Sequence, residues 1–178
     1  DEVTTGDHRF SYGEIEAVLK NLLEEQVSIR NMVVILETLG DYGKLTRDPW
    51  TLTEKVREAL GAQICQQYAD ENKVLHVLNL SQSLAQKILD HRADMPGKGP
   101  IVAFDPVDAR NYISTMSNAV AAVRERNYLP IILCPSEVRR LVKSSTELEM
   151  PGIIVLSINE VMAASPNIKV ESLGEING

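Results

Sequence analysis

The hydrophobic period of this chain changes once, near residues 70–73, and that change limits what the chain can fold into. Before it, apolar residues recur as they do along one face of a helix; from Lys73 onward they gather in short runs separated by stretches that return to helical spacing. A block of helices followed by alternating strands and helices is the pattern of a helical unit joined to an α/β layer fold. At 178 residues the chain has room for one large domain or two small ones that share packing. We expect a helical subdomain over residues 1–72 and an α/β subdomain over 73–178, the latter built on a mixed sheet of four or five strands.

The helical starts are marked by side chains that can satisfy the free amides of a first turn. Ser11 with Glu14 forms a capping box, after which Ile15, Val18, Leu19 and Leu22 share one face. Ser28 is expected to cap a second helix, with Ile29, Met32, Leu36 and Leu39 as its apolar stripe and Gly40 and Gly43 at its end. Asp48-Pro49 opens a third, because proline at the first helical position gives up no needed hydrogen bond; Leu52, Val56, Leu60 and Ile64 form its stripe. In the second half, strands are expected at Val74–Leu80, Ile101–Phe104, Ile131–Cys134, Ile153–Leu156 and Ile168–Leu173. Helices are expected over Leu84–Leu89, Val107–Arg126 and Glu137–Lys143, the last capped by Ser136. Met95 to Pro100 reads as a loop.

Apolar residues make up 44% and charged residues 24%, a globular balance. The net charge of -7, with both signs interspersed, lacks the basic stripe that phosphate backbones require, so nucleic acid is not an expected partner. No apolar run approaches the roughly 18–20 residues that span a bilayer, and the polar stretch Asp1 to Phe10 is not signal-like. The chain also starts without Met, as a piece of a longer protein would.

Among motifs that could carry chemistry, Cys134-Pro-Ser-Glu-Val-Arg-Arg140 has the Cys-x5-Arg spacing of thiol phosphatase loops. It is poorly built for that use. Pro135 removes an amide donor, Glu137 puts a carboxylate where the anion would sit, and no glycine lets the backbone wrap. A thiol-dependent phosphatase using Cys134 and Arg140 is therefore the disfavoured alternative. Cys65 and Cys134 read as free buried thiols. His8, His76 and His91 have no metal-ligand spacing, and the adjacent pairs Glu24-Glu25 and Asp70-Glu71 point apart on a helix, so they form no acid/base dyad. No catalytic residue, metal or cofactor is expected.

Three stretches carry a resemblance: Leu22-Leu-Glu-Glu-Gln-Val-Ser-Ile-Arg-Asn31, Ile35-Leu-Glu-Thr-Leu39 and Leu52-Thr-Glu-Lys-Val-Arg-Glu-Ala-Leu60. They are similar, in order, to the type III secretion export-gate proteins. Pro130-Ile-Ile-Leu-Cys-Pro-Ser-Glu-Val-Arg-Arg140, Val155-Leu-Ser-Ile-Asn-Glu-Val161 and Ile168 to Gly174 continue the likeness. Cys134-Pro-Ser and Ser157-Ile-Asn-Glu resemble the flagellar branch more than the injectisome branch, which stays as the alternative.

The resemblance implies a non-enzymatic protein with a multi-span membrane region preceding this chain. It implies that the chain supplies the third and fourth subdomains of a cytoplasmic domain at the bacterial inner membrane. The family's cytoplasmic domains form a nine-membered ring and dock export chaperone–substrate complexes, the ATPase stalk protein and a companion export-switch protein. On that basis Glu24, Glu25, Arg30 and Glu37 are candidates for contact with a neighbouring copy. Arg139, Arg140 and Lys143 are candidates for a basic face that receives acidic partners.

Overall fold

A computed structural model describes residues 9–178. Its elements run α1 (Tyr12–Glu24), α2 (Met32–Tyr42), α3 (Pro49–Ala59), α4 (Gly61–Tyr68), β1 (Val74–Leu80), α5 (Gln82–Asp90), β2 (Arg92–Met95), β3 (Gly99–Val102), α6 (Pro106–Glu125), β4 (Ile131–Cys134), α7 (Arg139–Thr146), β5 (Ile154–Ser157), α8 (Ile158–Ala164) and β6 (Lys169–Ile176). The capping box of α1 is present: the Glu14 amide donates to Ser11 Oγ at 3.1 Å, and the Ser11 amide donates to Glu14 Oε1 at 2.9 Å. Asp48 and Asp105 accept the Thr51 and Asp108 amides at 3.0 and 2.8 Å, with proline opening α3 and α6 behind them.

Two expected caps are corrected. Ser28 does not start α2: its hydroxyl accepts the Arg30 amide at 3.2 Å in the connecting loop, a local bond that competes with helix formation, and α2 begins at Met32 with Gly40 inside it. Ser136 does not start α7, because a turn closed by the Val138 amide on the Pro135 carbonyl delays the helix to Arg139. The stripe expected of one third helix is shared by α3 and α4, which break at Leu60, and its four residues are all buried. The short α8, opened by a second capping box between Ser157 and Glu160, is not among the helices expected from the periodicity.

The main sheet has four strands in the order β5-β4-β1-β6, every neighbouring pair parallel. The antiparallel pairing belongs to a separate β2–β3 hairpin in register Arg92↔Val102 to Met95↔Gly99. The segment read as a loop is the tip of this hairpin, turned by Gly97 and Gly99 at φ of 79° and 76°. The run ending at Phe104 therefore leaves the main sheet, and the Phe104 ring packs edge-on against His91 and Tyr112.

Alternation along the strands sorts the core into two layers. Leu75 and Val77 of β1, Ile131 and Leu133 of β4, and Ile154 and Leu156 of β5 face an apolar cluster with α1–α4 and Ala164 of α8. Leu78 and Leu80, Ile132 and Cys134, and Ile153 and Val155 face the cluster with α5, α6 and α7. The helical block thus covers one face of the sheet, and the apolar cluster crosses residue 72 without a gap.

Candidate functional site

α3 and α7 meet beside β5, at the margin of the sheet. Ile154 donates to the carbonyl of Pro130, the residue just before β4, so the alternate residues Ile153 and Val155 turn their carbonyls away from the sheet. A strand edge buried in this way must find donors elsewhere. Arg139 Nη1 donates to Val155 O at 3.0 Å, Arg57 Nη2 to the same oxygen at 3.4 Å, and Lys143 Nζ to Ile153 O at 2.8 Å. Three cations from two helices thus supply the donors to the outward carbonyls of this edge.

The guanidiniums are matched by carboxylates. Arg139, 0% exposed, binds Glu54 through Nε and Nη2 at 2.7 and 2.8 Å and Glu25 through Nη1 and Nη2 at 2.9 and 2.8 Å. Such two-pronged bonds are the strong kind. Arg57 donates Nε to Glu160 Oε2 at 2.6 Å, and Glu160 also closes the capping box of α8. Arg140 reaches Glu25 at 3.2 Å and lies 4.8 Å over the Trp50 ring. Burial penalises the Glu25 carboxylate, but Arg139, Arg57 and Arg140 more than offset it and hold its pKa well below the carboxylate range. Burial likewise opposes the charge on Arg139, and Glu54 and Glu25 raise its pKa well above the arginine value. Lys143, with no such pairing, has its pKa lowered by burial.

This geometry changes the reading of several residues. Glu25 is not a rim charge: its side chain is 8% exposed because it closes α1 over the Arg139 guanidinium. Arg139 and Lys143 do not form an outward basic face, since α7 turns them inward to the β5 edge; Arg140 keeps 12% side-chain exposure against Trp50. Glu24, Arg30 and Glu37 are exposed.

Cys134 is a core residue of β4. Burial pushes its thiol pKa far up, and its Sγ donates at 3.8 Å to Leu156 O, so it is unsuited to nucleophilic attack. Cys65 is similarly raised by burial to about 12. His76 pairs with Asp70 at 2.9 Å and His91 with the Lys87 carbonyl at 2.8 Å; His8 lies outside the described residues. Among the described residues no three His, Cys, Asp or Glu side chains are placed to hold a metal, and no helix is long and apolar enough to cross a membrane.

Glu54, Arg57 and Glu160 are not among the residues that motif and spacing single out. A signal was present: Arg57 sits beside Val56, among Thr53 and Leu60 on the buried face of α3, where an ion requires a partner. The partner could not be named, because Glu160 lies 103 residues away.

A helical block thus lies over one face of a parallel sheet and is fastened at the sheet margin by buried ions. The chain superposes on the Chlamydia pneumoniae CdsV protein with a TM-score of 0.84 at 27% identity, over 99% of this chain and 48% of that one. The same protein in complex with CdsO gives 0.79 at 26%, over 99% and 50%. The nonameric EscV cytosolic domain from the type III secretion system gives 0.77 at 27%, over 93% and 48%. A model of the FHIPEP family matches residues 1–165, and the chain belongs to that family. It is 38% identical over 177 residues to the flagellar biosynthesis protein FlhA of Bacillus subtilis, covering 99% of this chain and 25% of that protein. To FlhA of Borreliella burgdorferi it is 38% identical over 164 residues, covering 92% and 23%. The chain spans about a quarter of the length of these curated relatives and about half of the solved chains.

Proposed function

We propose that this chain is the end of the cytoplasmic domain of a type III export gate, in the flagellar branch, and that it acts by binding and assembly without catalysis. The observation that carries this reading is the 38% identity to a flagellar biosynthesis protein across 99% of the chain. The nonameric state of the EscV domain supports assembly of copies into a ring, and the complex of CdsV with CdsO supports docking of a component of the ATPase complex. Chaperone–substrate complexes and the export-switch protein are the further partners of this proposal. The Cys134 thiol, buried in β4, favours a role without chemistry at that position. Within the proposal, residues 1–72 form the subdomain facing neighbouring copies and residues 73–178 the terminal subdomain, the two sharing one core.

Exposed Glu24, Arg30 and Glu37 are the charges available to a ring neighbour, where they would set register and association rate more than affinity. Deleting from the encoding gene the stretch that encodes these 178 residues tests the whole reading. The expected result is loss of flagellar protein secretion with the membrane part of the protein retained. Normal secretion would refute it, and loss of effector secretion with flagella intact would move the protein to the injectisome branch. Reversing Arg30 to Glu in the full-length protein is expected to weaken ring assembly seen by electron microscopy, and an unchanged ring removes Arg30 from the interface.

A further inference from the structure

When the ions at the β5 edge are paired off, Lys143 is left over. Arg139 has Glu25 and Glu54, Arg57 has Glu160, and Arg140 has Glu25 and, at 3.7 Å, Glu147. Lys143 is 7% exposed and, among the described residues, donates only to main-chain oxygens, Ile153 O at 2.8 Å and Pro151 O at 3.5 Å. Glu25 and Glu147 influence it from beyond ion-pair distance. Carbonyl dipoles solvate an ammonium but do not neutralise it, so Lys143 is a buried cation with no carboxylate at ion-pair distance.

That charge borders an opening. A cleft of about 300 Å³ lies between the end of α1, α4 and the segment 151–155, and Lys143, Arg57, Gln67 and Tyr68 are among the side chains that line it. Arg57 Nη1 has only the distant Glu25 Oε1, at 3.8 Å, as an anionic neighbour. Burial raises the Tyr68 phenol pKa and keeps it a hydrogen-bond donor. The volume suits a group the size of one side chain. Glu25 in the wall and exposed Glu24 among the lining residues act against a multiply charged ligand, while a single carboxylate would give Lys143 the ion partner it lacks.

The geometry points to a carboxylate-binding site in this cleft, with Lys143 as its charge partner, Arg57 as a second cation and the Tyr68 hydroxyl as a donor. An acidic side chain of a docked protein and a small free acid present the same group to these donors, and the size of the molecule bearing it separates the two sources.

The test is a nuclear magnetic resonance titration of the full 178-residue chain with sodium acetate, against sodium chloride at equal ionic strength, following the Gln67, Tyr68 and Gly152 amides. A saturable shift with acetate and none with chloride is expected, its affinity weakened about tenfold or more in Lys143→Met. Gln67→Glu, at an exposed position, places a competing carboxylate at the cleft without touching the core and is expected to weaken binding too; it carries the test if Lys143→Met fails to fold. Linear drift, equal response to chloride, or binding unaltered in the folded variants overturns the site. A blocked Gly-Glu-Gly peptide that binds as well as acetate assigns the site to protein side chains; acetate binding with the peptide excluded assigns it to small acids.

Discussion

Take the guanidinium from Arg139 and the Glu25 and Glu54 carboxylates are left facing one another in the interior, with Val155 O deprived of its better donor. Breaking a buried ion pair from one side costs about 3–5 kcal/mol, which for a chain of this size lowers the melting temperature by about 10 °C. Arg139→Met is therefore expected to melt well below the parent by circular dichroism, and Glu25→Gln with Glu54→Gln in the same chain is expected to restore part of the loss. Glu25 also sets the sign of the acid response. Its pKa is lower folded than unfolded, so as the pH falls the unfolded chain takes up the proton first. The stabilisation is complete above the ordinary carboxylate pKa of about 4.3 and is lost as the pH falls from there toward the folded value. Chemical denaturation at a series of pH values should show Glu25→Gln with a flatter acid limb than the parent.

Between elements, two glycines fix how closely neighbours approach. A Cβ on Gly61 would lie 2.7 Å from the Ala163 Cβ, where α4 crosses α8, and would also press on the Glu160 carbonyl. Gly61→Val is expected to destabilise by about 1–3 kcal/mol and, by moving α8, to disturb the Arg57–Glu160 pair; the chemical shift of the Arg57 Nε proton reports the second effect. Gly99 pins the hairpin beneath Trp50 with a φ of +76° that other residues resist, so Gly99→Ala should raise Trp50 fluorescence sensitivity to quencher. At this scale the sequence was most legible where a bond is local: the Ser11–Glu14 box and Asp48-Pro49 stand where spacing put them. Strand runs were legible too, because Ile131 to Cys134 must be apolar on both faces to fill two layers. The hairpin was not, since the pairing of Arg92 with Val102 depends on a turn and not on periodicity. Nor was the ion cluster, whose members Glu25 and Arg139 meet only after the helical block has closed over the sheet.

For the molecule as a whole, the two units distinguished by their periods share a core and a buried set of charges. Heat should therefore unfold them in one transition, with calorimetric and van't Hoff enthalpies in agreement. Residues 1–72 expressed alone are expected to lack a folded spectrum, since Leu22, Ile35, Leu39 and Val56 would lose Leu75, Val77, Ile131 and Leu156 as neighbours. A resolved low-temperature transition would show the units to be separable.

The cations along β5 have one more consequence. Edge strands let sheets join, and a sheet with both edges open can extend from copy to copy without limit. Here one margin is sealed by Arg139, Arg57 and Lys143, while β6 ends the opposite side. Two copies could meet at β6, and the outer margins of the joined main sheets would then be the β5 sides whose carbonyls are already bonded. The fold thus terminates strand-by-strand growth at a pair, which leaves any larger closed assembly to be built through side chains.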